Sequence, residues 1–279
     1  MSLFVVGALH LDVVLRAPHL PVLDETVTGR SVDYVFGGKG GNQAVAAARL
    51  GAEVSFAGRA GADSFGDMIR AELKNAGLDH RQLQSDAGPS GMSAAIVDDQ
   101  GEYGAVIVSA ANLNIDADAI VVPEGTQLVV LQNEIPQAVN TAIAQKAKAL
   151  GVQVWLNAAP VRALPDAFVC LIDLIIVNRV EAAAYPSPSM PLLETLGADG
   201  VRYDQQFYPG HSVEVVSTHG AGDMFVGALA SRVVSGADVA GAISFAQAAA
   251  ALHISMPLHA RADITARKVE DFLAAQRSR

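Results

Sequence analysis

The stretch Ser217-Thr218-His219-Gly220-Ala221-Gly222-Asp223 lies between the strand-like run Val213-Glu214-Val215-Val216 and the apolar run 224–230. It reads as a strand, a tight glycine turn and the start of a helix. Gly220, Ala221 and Gly222 leave backbone N–H groups uncovered at that helix N-terminus. Unpaired amides and the positive end of the helix dipole favour an anion there, such as a phosphate. Asp223 taken alone is ordinary first-turn electrostatics. It gains a chemical role only if other elements of the chain converge on it.

Composition bounds what those elements can be. A chain of 279 residues with 51% apolar content can bury a substantial core as one large α/β domain or two ordinary ones. The formal net charge of −10 argues against nucleic acid or an anionic membrane as the main partner, and leaves room for a local basic pocket. Cys170 is the single cysteine, so it forms no internal disulfide; within the apolar run 168–172 it is expected to be a buried small hydrophobe in a reducing, cytoplasmic setting. The opening residues lack a basic leader, and His10, Asp12 and Arg16 interrupt them too soon for a signal or membrane helix. The Ala-rich run 239–252 is too short to span a bilayer and reads as a packed helix.

Read from the beginning, residues 3–7 form a buried strand, with His10 and Asp12 at its exit. The segment 16–36 has no helical period and suggests a β excursion. Gly37-Gly38-Lys39-Gly40-Gly41-Asn42-Gln43 precedes a helical run, 44–50, that stops at Gly51. Its glycines permit close approach to a ligand, or form a flexible turn; the spacing matches neither a Walker A loop nor the dinucleotide fingerprint. A strand over 53–58 and a helix from Asp63 to near Gly77 continue the alternation typical of doubly wound sheets. Runs 93–97 and 104–108 read as a hairpin, a second excursion able to pair with the first as a small covering sheet.

Three later strands end in polar residues: Asn133 and Glu134 after 128–131, Asn157 after 152–156, and Asn178 after 174–177. Ligand crevices of open parallel sheets lie at such carboxyl ends, although Asn133 and Asn157 also suit turns or helix caps. Glu181 shares a face with Asn178 if a helix begins there. The breaker cluster 185–191 reads as a rim loop, 192–197 as a short strand ending in glycine, and 200–203 as its continuation. Helices close the chain over 220–236, 238–252 and 265–276, the last with Val269, Phe272 and Leu273 on one side.

Residues 37–50 and 58–66 resemble the N-terminal signature of the ribokinase-like (PfkB) carbohydrate kinases, and Gly220-Ala221-Gly222-Asp223 resembles the C-terminal one. The likeness covers nearly the whole chain and is closest in pattern to ribokinase. It implies an α/β, Rossmann-like doubly wound sheet, mostly parallel and flanked by helices, with a β-sheet lid over approximately 11–36 and 91–110 inserted in a single domain, 1–279. It further implies transfer of the γ-phosphoryl group of ATP to a hydroxyl of a small sugar, ribose or a related furanose first. Asp223 then matches the general base, and the amides of Gly220, Ala221 and Gly222 the anion hole. His10, Asp12, Gly38, Lys39, Asn42 and Glu134 match sugar-binding positions. Asn178 and Glu181 match an Asn-x-x-Glu element near Mg²⁺ and phosphate, and Thr195 and Gly197 a nucleotide-binding turn. A homodimer formed lid to lid is the family-based expectation.

The chain departs from that pattern in places. Ser217 stands where family members usually carry Asp, which in ribokinases helps bind an activating monovalent cation, so the resemblance gives no support for K⁺ dependence. His219 is unusual in the turn, His10 replaces a usual Asn, and the segment between Glu181 and Thr195 is short, which bears on donor handling. Two other readings stand beside the sugar kinase: a nucleoside kinase, and a non-catalytic sugar-binding or regulatory protein on a kinase fold.

Overall fold

Every residue of Ser2–Val6 (β1) is buried, and its side chains alternate between two cores. Leu3 and Val5 join one apolar cluster, while Phe4 and Val6 join the other. A strand buried on both faces belongs in the middle of a parallel sheet covered by helices on each side. The computed structural model describes residues 2–185 and 191–277. The chain continues through β2 (His10–Arg16), β3 (Ser31–Gly37), α1 (Lys39–Arg49), β4 (Glu53–Gly61), α2 (Ser64–Asn75), β5 (Asp79–Asp86), β6 (Met92–Val97) and β7 (Tyr103–Val108). There follow β8 (Thr126–Gln132), α3 (Gln137–Ala149), β9 (Gln153–Asn157), α4 (Asp166–Val169), β10 (Leu174–Asn178) and α5 (Arg179–Ala182). The last elements are β11 (Leu192–Thr195), β12 (Gly200–Tyr203), β13 (Gln206–Pro209), α6 (Ala221–Val234), α7 (Val239–Ser255) and α8 (Ala266–Arg277).

The large sheet has the order β13-β12-β11-β10-β9-β8-β1-β4-β5, parallel from β5 to β11 and antiparallel at β12 and β13. Residues of α1, α2, α6, α7 and α8 cover one face, and residues of α3 and α4 the other. The chain builds outward from β1 through β4 to β5, then returns to place β8 on the opposite side of β1. That reversal is a topological switch point, and it opens a crevice at the carboxyl ends of β1 and β8. The second sheet has the order β3-β2-β6-β7. Its two excursions pair as expected, through the parallel ladder of β2 and β6.

Close packing fixes the helices at the crevice. The helix expected from 44 begins at Lys39, and Gly40 and Gly41 lie inside it, buried. A Cβ on Gly40 would sit 2.7 Å from the Gly7 Cα, and the Gly41 amide donates to Ala8 O at 3.1 Å. These glycines therefore let a helix touch the exit of β1, and the flexible turn allowed by the sequence does not form. Gly38, at φ 87, caps the helix in a conformation that favours glycine. On the other side of α1, a Cβ on Gly227 would meet Gln43 O at 2.6 Å and Ala46 Cβ at 2.7 Å.

Two expectations are corrected, and one strand is added. Residues 213–216 form no strand: Val215 and Val216 are exposed, and the Val216 amide bonds to Ile254 O at the end of α7 instead of to a neighbouring strand. Alternating valines favour a strand only when a sheet edge is there to pair them. Cys170 is exposed, because Phe168 takes the core position of that short turn. The edge strand β5 was not expected; its Asp-His-Arg-Gln-Leu-Gln-Ser-Asp sequence contains one apolar side chain. Residues 186–190 of the breaker cluster lie outside the described residues.

Gly227→Val is expected to lower unfolding free energy by about 1–3 kcal/mol through overpacking against α1. Gly222→Ala, whose Cβ would meet nothing within 4 Å, is expected to change it by less than about 0.5 kcal/mol. Urea denaturation of both variants makes the comparison; equal stability of the two would refute close packing of α1 on α6.

Candidate active site

Asp223 enters the crevice from the first turn of α6, just after Gly220 adopts φ 76. The carboxylate is only 8% exposed and is held from α1 on both oxygens. Asn42 Nδ2 donates to Oδ2 at 3.1 Å, and Gln43 Nε2 donates to Oδ1 at 3.0 Å. Of the three turn amides, that of Ala221 donates to Thr218 O at 3.2 Å.

Gln43 is the contribution that sequence reasoning missed. It is 1% exposed and also donates to Asn157 Oδ1 at 2.9 Å, while its own Oε1 accepts from Gln132 Nε2 at 3.0 Å. The ends of β8 and β9 are thereby tied to Asp223 through one side chain. The available signal was two successive amides opening an Ala-rich helix: neighbours on a helix point about 100° apart, so Asn42 and Gln43 cannot both face solvent beside a buried stripe.

The remaining acids gather around Lys39. Its backbone amide donates to Glu134 Oε2 at 2.7 Å. Burial acts to lower the Lys39 pKa, but Asp223, Glu134 and Glu181 together outweigh it and hold the ammonium above its ordinary value. Glu134 moves the other way: burial, aided by Asp223 and Asp12 and opposed by Lys39, raises its carboxyl to about 7. Asp12 accepts from Ser93 Oγ at 2.5 Å, so strands β2 and β6 of the small sheet meet at this acid. His10 is buried and its pKa lowered, chiefly by burial, with Asp12 opposing. Its Nε2 has no partner among the described residues, and it lines a cavity of about 330 Å³ with Glu134, Asn133 and Arg162. Gly38 lies at the root of this group as the α1 cap. Asn133 and Asn157 serve as pairing residues, Asn133 donating to Pro160 O and Asn157 to Ile176 O.

Asn178, Glu181, Thr195 and Gly197 form a second group farther along the sheet. Asn178 caps α5, its Oδ1 accepting from the Val180 and Glu181 amides, while Glu181 Oε2 accepts from the Asn178 amide at 2.8 Å. The helix therefore begins where the shared-face reading required. Thr195 stands opposite Asn178 in the β10–β11 register and donates to Val177 O; the exposed Gly197 follows at φ 64. Strands lie about 4.8 Å apart, so β11 is roughly 19 Å from β1 across the sheet. An extended ligand would bridge that distance.

Residues 1–261 match the family described as pfkB family carbohydrate kinase. The chain is 33% identical to a ribokinase of Bacillus subtilis over 274 residues, covering 91% of this chain and 92% of that protein. Arabidopsis thaliana ribokinase, solved with ribose and ATP, superposes with a TM-score of 0.86 at 26% identity, covering 98% of each chain. A Methanocaldococcus jannaschii nucleoside kinase shares the fold, with a TM-score of 0.84 at 18% identity over 99% of each chain.

The Glu134 shift predicts a pH dependence of stability. Between about pH 4.5 and 7 the unfolded chain has released the proton that the folded carboxyl retains, so this contribution is full below 4.5 and lost as pH rises through 7. Glu134→Gln is expected to remove the decline, which is on the order of 3 kcal/mol. Thermal and urea unfolding of both proteins from pH 4.5 to 8 measures it; parallel curves would contradict the burial argument.

Proposed function

This chain belongs to the pfkB family of carbohydrate kinases, and from that premise we propose that it transfers the γ-phosphoryl group of ATP to a hydroxyl of a small sugar, ribose first. The observation that carries the reading is the convergence of Asp223, Asn42, Lys39 and Glu134 at the carboxyl ends of β1 and β8. The names of its relatives supply the substrate class. The partnerless Nε2 of buried His10, beside Glu134 and Asp12, suits a ligand with several hydroxyls.

The geometry supports the following roles. Asn42 and Gln43 fix the Asp223 carboxylate, which accepts the proton of the attacking hydroxyl. The sugar oxygen forms a bond to the γ-phosphorus, and the bond from that phosphorus to the β-phosphate oxygen breaks, its electron pair leaving with ADP. The amides of Gly220, Ala221 and Gly222 face the charge of the transferred group, with the Ala221 amide turning from Thr218 O as it engages. Lys39 keeps its charge among three carboxylates. Asp12, Gly38 and Glu134 orient the sugar. Thr195 and Gly197 receive the nucleotide at the far end of the crevice.

Mg²⁺ fits the residues present as an ion carried on the phosphates. Among the described residues no group of three or more His, Cys, Asp or Glu side chains can hold a metal by itself. Glu181 uses Oε2 in the capping box and has Oε1 for a water-mediated contact, whereas Asn178 Oδ1 is occupied by two amides. When bound, the ion supplies charge neutralisation at the phosphates. The chain is read as one kinase domain, 1–279, with the small sheet as its lid, working in the cytoplasm. No helix among the described residues is long and apolar enough to cross a membrane. The lid strand β7 exposes Tyr103, Val106, Ile107 and Val108, which supports a lid-to-lid homodimer.

ADP release is expected with ribose, and neither with other sugars nor with nucleosides at comparable kcat/KM. Asp223→Ala should lower kcat on the order of 10²–10⁴-fold while the protein stays folded; near-native turnover would remove Asp223 as the base. Light scattering at micromolar concentration should give a dimer, and Ile107→Glu a monomer. A monomeric wild type would end the lid-to-lid reading.

A further inference from the structure

Arg261 lies in the 3₁₀ turn Leu258–Asp263 after α7 and is 5% exposed. A buried guanidinium is costly unless its donors are satisfied. Here Nη2 donates to Ser217 O at 2.9 Å, Nη1 to His219 O at 2.9 Å, and Nε to Met256 O at 3.2 Å. Nη1 also lies 3.2 Å from His253 Nε2. Among the described residues Arg261 has no carboxylate partner, so backbone carbonyls supply most of the compensation for its charge. His253 adds no opposing charge: burial first, then Arg261, hold its imidazole down to about 4, while its bond to His219 O acts in the opposite direction.

Two of the three carbonyls belong to the loop that delivers Asp223. That loop is exposed from 214 to 219 and lacks the strand that its sequence suggested. The amides of Val216 and Ser217 are fixed by Ile254 O, and the carbonyls of Ser217 and His219 by Arg261. The next residue is Gly220, whose Cβ position would lie 3.0 Å from His253 Nε2. No other side chain among the described residues holds both carbonyls.

We infer that Arg261 is a positioning residue for phosphoryl transfer: its guanidinium is a permanent internal cation that fixes the carbonyls of Ser217 and His219, and so aims the turn amides and Asp223. This rests on reading the turn as the transfer site. A dissociable cation at the same oxygens would meet the guanidinium charge, so turnover does not depend on alkali cations.

The test compares wild type with Arg261→Gln and Arg261→Lys, in buffer free of alkali cations. Arg261→Gln should lose about 10- to 100-fold in kcat, the scale of a misplacement near 1 Å, with KM for ribose within about threefold. Added guanidinium chloride at low millimolar concentration should restore part of the loss. Arg261→Lys keeps the charge without the fork and should fall in between; if the Gln variant does not fold, the Lys variant is judged by the same criteria. Wild-type kcat should be unchanged by KCl when tetramethylammonium chloride holds ionic strength constant. Hydrogen exchange at amides 217–222 should accelerate in the variants while α6 beyond 225 stays protected. Unchanged kcat and exchange in the variants, or a tenfold activation of wild type by K⁺, would overturn the inference. If wild type turns over no sugar, the kinase reading fails, and the exchange result decides the clamp alone.

Discussion

The contact between the first turn of α1 and the exit of β1 governs everything around the crevice. Gly7 and Gly40 approach so closely that a methyl group on either would overlap the other's backbone. That approach sets the height of α1 on the sheet, and α1 then carries the Lys39 amide to Glu134 and the Asn42 and Gln43 side chains to Asp223. Gly227 repeats the device on the opposite side of α1, bringing α6 to the distance at which a carboxamide and a carboxylate can bond. Side-chain volume is removed where backbones must meet, and polar groups occupy the space that opens beyond.

Electrostatics at the crevice has a common logic. The chain is acidic overall, and three of its carboxylates crowd one lysine. Burial, with Asp223 and Asp12 adding to it, shifts Glu134 towards its neutral form, while Asp223, Glu134 and Glu181 together hold Lys39 charged. Asp223 is tied by two amide donors. Anions entering the crevice therefore meet a lysine and a helix N-terminus within a protein of opposite net sign.

The sequence made some of this legible and concealed the rest for physical reasons. The buried strands were visible because each is apolar on both faces, and the two lid excursions because they lack a helical period. Asp223, Lys39 and Glu134 stood out through a glycine turn, a glycine-rich loop and a strand end, and Asn42 through the resemblance of residues 37–50 to the family signature. Gln43 did not, because an amide before an alanine run reads as helix surface until the partners from β8 and β9 are known. Arg261 lies beyond a breaker, in a segment without period, and its partners are backbone carbonyls that no side-chain pattern can announce. Residues 213–216 misled in the opposite sense, since β-propensity says nothing about whether a sheet edge is free.

The lid is joined by the parallel ladder in which Leu11 pairs with Met92 and Arg16 with Val97. Between those segments the chain lays down α1, β4, α2 and β5. Bringing such distant segments into register requires a large loop closure before any lid contact can compensate for it. Docking of β4 and β5 on β1 shortens the free chain that this closure must order, so the small sheet depends on the large one. Asp12, which bonds to Ser93 across that ladder, is in place only when both excursions have paired.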